Sequence, residues 1–168
     1  MAKADAIRAL RVAEAGNCKP DGGVPLVASV QHITDLEGAR EYINYIDCTM
    51  MKQKLMLPRE EGGHGWTAET ADKVEEKYKM WLFLKRKYEN ELVPPSRDID
   101  TFWHAHLLDS HAYFRDTLAV FGKYLHHYPY FGMRGKADHE KLVTSFENTK
   151  RLFREEYGEE IDGEATVP

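Results

Sequence analysis

Apolar residues recur at helical spacing in four stretches of this chain, and each stretch is bounded by glycine, proline or a capping side chain. Thr34-Asp35-Leu36-Glu37 reads as a capping box, with Thr34 as N-cap. Leu36, Ala39, Ile43, Ile46 and Met50 then keep the period until Leu57-Pro58. After the Gly62-Gly63-His64-Gly65 loop, Thr67 caps a second helix running to about Asn90, with Val74, Tyr78, Trp81, Leu82 and Tyr88 facing inward. Pro94-Pro95 stops it. Ser96 or Asp98 opens a third helix that continues through Phe121, and a fourth spans Asp138 to Tyr157 before Gly158. The pattern predicts an all-α fold, a bundle of about four principal helices with an extended N-terminal lead-in.

The expected organisation is an N-terminal appendage or linker over 1–30, a single helical domain over 31–160, and a disordered tail over 161–168. Residues 2–15 can form a short amphipathic helix, broken by the Gly16–Gly23 stretch, and Val24–Val30 is an apolar segment without a partner strand. No apolar run reaches the ~18 residues of a membrane span, and Met1–Arg8 has no signal-like apolar region. Cys18 and Cys48 show no metal-type spacing and read as reduced thiols, so a cytoplasmic location is expected. A net charge of −5 without a Lys/Arg run argues against nucleic acid as a partner, because that affinity rests on clustered cations.

Five of the eight histidines fall within 24 positions, between His104 and His127. On a helical wheel beginning at Ile99, His106 lies inside the apolar stripe with Phe102, Trp103, Leu107 and Tyr113, whereas His104 lies at its edge. Residues two apart point roughly 160–200° from each other, so His104 and His106 do not chelate one ion from a regular helix. His104 and His111 share a face but stand two turns, about 10 Å, apart. The workable pair is Asp100 with His104, whose i, i+4 spacing lets a carboxylate and an imidazole share a proton or a metal. His106 needs companions from elsewhere, and His126 or His127 is the expected source. Adjacent rings diverge, so one of those two is expected to face the site. Pro129-Tyr130-Phe131-Gly132 reads as a tight aromatic turn in which Tyr130 packs or covers a ligand, and Arg134 is a candidate anion contact.

Tyr78–Tyr88 (YKMWLFLKRKY), Val93-Pro94, Asp98–Asp109 (DIDTFWHAHLLD), Tyr113 and Phe121–Gly135 (FGKYLHHYPYFGMRG) together resemble bacterial members of the glycine-rich-domain-containing-protein-like family. The resemblance spans about Thr67–Gly158, and the WHxH and LHHxPYFG elements carry it. Plant relatives share the Asp–Trp-His-x-His–Tyr pattern, which falls on Asp100, Trp103, His104, His106 and Tyr113. The resemblance implies no particular reaction. Links of plant members to development, stress responses and RNA-associated proteins transfer poorly to a sequence without their glycine-rich region. Where the family reads Asp-Cys, this chain has Asp116-Thr117, and a hydroxyl does not replace a thiolate at a soft metal.

The expectation is therefore a metal-binding protein holding iron, copper or zinc through Asp100, His104, His106, His126 and His127. Trp103, Tyr113, Tyr130 and Arg134 would border a small organic or peptide substrate, and a non-haem, metal-dependent oxidoreductase is the corresponding enzyme. No HExxH, paired Glu-x-x-His, Gly-x-Ser-x-Gly or phosphate-cradling motif points elsewhere. The alternative is a non-catalytic helical interaction module whose His/aromatic cluster is structural. RNA binding stands third.

Overall fold

The computed structural model describes residues 30–165. Almost all of the N-terminal lead-in, Cys18 included, lies outside them. The described residues form α-helices joined by turns, with one isolated antiparallel bridge between Ser96 and Ala165. None of these helices is long and apolar enough to cross a membrane. The chain divides into two compact units, one of which contains residues 30–46 and 110–125, the other 47–109 and 126–165.

The first unit pairs α1 (Leu36–Asn44) with α5 (Ser110–Phe121). Asp35, and not Thr34, caps α1: its Oδ1 accepts from Gly38 N at 2.8 Å. The carboxylate competes better than a hydroxyl for the amides at the positive helix end. Ala39, Tyr42 and Ile43 on α1 are buried, as are Tyr113, Ala119 and Val120 on α5. Between them, Tyr42 Oη donates to Asp116 Oδ1 at 2.7 Å, and Arg115 Nε donates to the same oxygen at 2.9 Å. Thr117 Oγ1 spends its proton on the Tyr113 carbonyl one turn back, at 2.8 Å. Gly122, at φ +68°, ends α5 in the left-handed conformation.

The second unit is built from α2 (Thr49–Met56), α3 (Ala68–Lys87), α4 (Arg97–Leu108) and α6 (Lys136–Tyr157). Thr67 caps α3 as expected, its side chain accepting from Thr70 N at 3.1 Å. α3 is the central element, packing on α2, α4 and α6. Its Tyr78, Trp81 and Leu84 are fully buried, and Trp81 Nε1 donates to the Val93 carbonyl at 3.0 Å. That bond fixes the Val93-Pro94-Pro95 connection against α3. Phe102, Leu152 and Phe153 complete the core. Of the stretch 161–168 expected as a disordered tail, residues 161–165 are described: Ile161 is buried and Ala165 pairs with Ser96.

Two expected helices are each interrupted. The segment after Thr34 breaks at Tyr45–Cys48, where Asp47 Oδ1 accepts from Thr49 N at 3.0 Å and restarts the chain as α2. The segment 99–121 breaks at Asp109, with φ −81° and ψ +68°, and α5 begins at the next residue. These breaks fall at the borders of the two units.

Candidate metal centre

The first turns of α4 set the geometry. Asp100 and His104 are four residues apart, on one face of the helix, and Asp100 Oδ2 lies 3.6 Å from His104 Nε2. Asp100 is buried although charged residues rarely are, and it sits in the first turn, where the helix dipole favours a carboxylate. The third participant arrives on the loop between α5 and α6. His127 Nε2 is 3.0 Å from Asp100 Oδ1 and 3.0 Å from His104 Nε2. Its ring rests on Trp103 with centroids 4.4 Å apart, and Trp103 rests in turn on Trp81 at 4.8 Å. The indole wall, itself anchored through Trp81 to Val93, orients the imidazole.

Two imidazole nitrogens 3.0 Å apart thus face one carboxylate, with His127 Nε2 3.0 Å from Oδ1 of Asp100 and His104 Nε2 3.6 Å from its Oδ2. Ligand bonds of about 2.0–2.2 Å separated by angles of about 90–110° place neighbouring donors roughly 3.0–3.5 Å apart, and the two contacts of His127 Nε2, at 3.0 Å each, have that spacing. Protons serve this arrangement poorly. His127 Nε2 has either one hydrogen or one lone pair, yet it faces a carboxylate oxygen and an imidazole nitrogen at equal distance. A hydrogen aimed at one partner is lost to the other, whereas a cation between them would satisfy a lone pair of each residue.

His106 stands outside this group. It is 1% exposed, and its Nδ1 is hydrogen-bonded to Tyr78 Oη at 2.8 Å, with the two rings edge-on. The expected meeting of His106 with His126 or His127 is replaced by the meeting of His104 with His127. The reason is the helix itself: residues two apart diverge, so the face of α4 that packs on α3 carries His106, and the loop passes over the other face. The expected divergence of the adjacent pair is found, with His127 turned in and His126 exposed at the cavity rim.

The other expected residues have partners of their own. Tyr113 is buried in the first unit, its hydroxyl donating to the Leu125 carbonyl. Tyr130 is 58% exposed and meets Tyr128 edge-on at 5.6 Å. Arg134 grips Asp138, Nη2 to Oδ1 at 2.8 Å and Nε to Oδ2 at 3.3 Å. Asp138 Oδ2 also accepts from Gly132 N at 2.7 Å and Arg134 N at 3.2 Å. The Arg134 side chain first, with these two amides, holds the Asp138 carboxyl down at about 2. The carboxylate thereby clasps the loop that carries His127 to the start of α6.

A cavity of about 330 Å³ opens beside the triad. Asp100, His127 and Trp103 form one part of its wall, and Lys85, Arg134 and Lys141 supply cations. Sequence reasoning missed Tyr78 as the partner of His106, and it missed the two lysines. The signal that could have found Lys85 is its spacing from Trp81, one helical turn along the same face of α3.

Residues 67–116 match the family model described as Glycine-rich domain-containing protein-like. A relative, Glycine-rich domain-containing protein 1 of Arabidopsis thaliana, is 35% identical over 86 residues, covering 49% of this chain and 10% of the relative. The chain thus spans about a tenth of the length of the curated relative it matches. No solved structure matches it. Similarity to the glycine-rich domain-containing-protein-like family therefore lies over α3, α4 and the first half of α5, the part of the chain that supplies two of the three convergent donors, Asp100 and His104.

Proposed function

We propose that this chain is a member of the glycine-rich domain-containing-protein-like family that binds one transition-metal ion through Asp100, His104 and His127. The observation that carries this reading is the position of His127 Nε2, 3.0 Å from both an oxygen of Asp100 and the Nε2 of His104. Two imidazoles and one carboxylate suit iron(II) or zinc(II) better than copper(I), which prefers sulfur donors. Three protein ligands leave positions open, and Asp100 and His127 also border the cavity. Two histidines and a carboxylate with open positions are the ligand set of non-haem iron oxygenases, so the function we assign is metal-dependent oxidation of a small organic substrate held in that cavity, with dioxygen as the oxidant. The bound iron would supply the redox chemistry, while Trp103 orients His127 and the apolar wall limits water.

Metal analysis of tag-free protein, purified without chelator, tests the reading. The expected result is close to one iron per chain, lost in His104→Ala and in His127→Ala. Protein that retains no iron, zinc or copper after being offered each ion would overturn it. Stoichiometric zinc in place of iron would keep the site and replace oxidation by hydrolysis or a structural role. The Tyr78 hydrogen bond supports a structural role for His106, which is assigned no ligand function.

A further inference from the structure

The cavity wall carries three cations, Lys85, Arg134 and Lys141, against one carboxylate, Asp100. That carboxylate already faces His127 and His104. Arg134 is engaged with Asp138 and lies 5.4 Å from the Tyr128 ring centre. Lys141, by contrast, enters no ion pair among the described residues. Much of the remaining wall is apolar and stiff, including Trp103, Phe131 and the Pro94-Pro95 pair. Excess positive charge beside walls of low polarizability draws anions, and aromatic and proline surfaces favour an apolar body.

The charge to be matched is small. The loop amides of Gly132 and Arg134 both donate to Asp138, so neither is left to cradle a phosphate. We propose that this cavity binds an organic monoacid, its carboxylate paired with Lys141 and its aromatic or branched apolar body against Trp103 and Phe131. The acid pocket itself stands on the cations and walls. Only its role as the substrate site beside the ion rests on the metal reading given above.

The test uses the full chain, purified without tag or chelator, with metal content measured on the same sample. Two matched pairs, 3-phenylpropanoate with 3-phenylpropanamide and benzoate with benzamide, are titrated by calorimetry and by tryptophan fluorescence. Inorganic phosphate serves as competitor. At least one acid should bind roughly tenfold or more tighter than its amide, the scale for a charge-assisted contact. Lys141→Ala should cut that preference several-fold and Lys141→Glu should erase it, with metal content and unfolding midpoint unchanged. Equal binding of acid and amide, failure of both pairs, displacement by phosphate at lower concentration than the acid, or a preference that survives Lys141→Glu would each overturn the inference. An acid preference in protein that takes up no metal would uphold the pocket and overturn the triad reading alone.

Discussion

Asp100 and His127 stand 27 positions apart in the chain, and their Oδ1 and Nε2 atoms are 3.0 Å apart. The contact joins the first turn of α4 to a loop that has no helical register of its own, and His104 closes the group from one turn further along α4.

If the three residues are ligands, their removal should exceed the about 10–100-fold loss of metal affinity that follows removal of a supporting residue. Asp100→Asn, His104→Ala and His127→Ala are each expected to lose more than about 100-fold in affinity. His106→Phe should leave the affinity within a few-fold of the original. Competition against a chromophoric chelator measures all four. A His106→Phe loss equal to that of His127→Ala would show that the core histidine is a ligand after all.

Tyr78 and His106 are expected to act on stability. Both are fully buried, at 0% and 1% exposure, and Tyr78→Phe leaves the His106 Nδ1 without its 2.8 Å hydroxyl partner. An unsatisfied buried group costs about 1–3 kcal/mol, so the urea midpoint should drop accordingly. Metal content should not change.

These two predictions also mark where sequence reasoning reached its limit. The i, i+4 pairing of Asp100 with His104 and the inward direction of His106 both follow from helix periodicity, and both are present in the structure. What period cannot supply is the neighbour across a gap. The partner of His106 depends on how α3 packs on α4, and the position of His127 depends on the path of an irregular loop. The break at Asp109 had no glycine or proline to announce it. The break before α2 did leave a signal, since Asp47 two residues before Thr49 is a recognisable local cap.

The clasp at Asp138 gives a pH dependence. Its carboxyl is lowered from 3.8 to about 2, chiefly by the Arg134 side chain, so the folded state holds this proton more weakly than the unfolded chain does. The stabilisation it contributes is full above pH 3.8 and is lost as pH falls through about 2. Carboxyl-carbon NMR should follow this titration. Amide exchange at Gly132 should accelerate in Asp138→Asn even at neutral pH. A carboxyl that titrates at its ordinary value would remove the clasp.

Gly132 holds the same loop by a second device. Its φ is +92°, and a Cβ added there would lie 2.6 Å from Leu142 Cδ2. Gly132→Ala should cost about 1–2 kcal/mol for the left-handed backbone and displace Leu142 from the cavity wall. Thermal unfolding reads the first effect, and weaker binding of apolar ligands in the cavity reads the second.

The division of the chain into units gives the triad a further consequence. Residues 110–125 belong to the first unit, so the second unit is left by the chain after Asp109 and re-entered at His126. His104 lies just before that departure and His127 just after the return, 23 positions later. An ion shared by the two rings, as proposed above, would close this excursion into a ring and restrict the unfolded chain, as a disulfide across the same span would, by roughly 3 kcal/mol on the loop-entropy scale. Whatever reaction it supported, an ion bound there would also be a staple at the neck of the loop, and the chain without it would have that much less holding the loop's ends together.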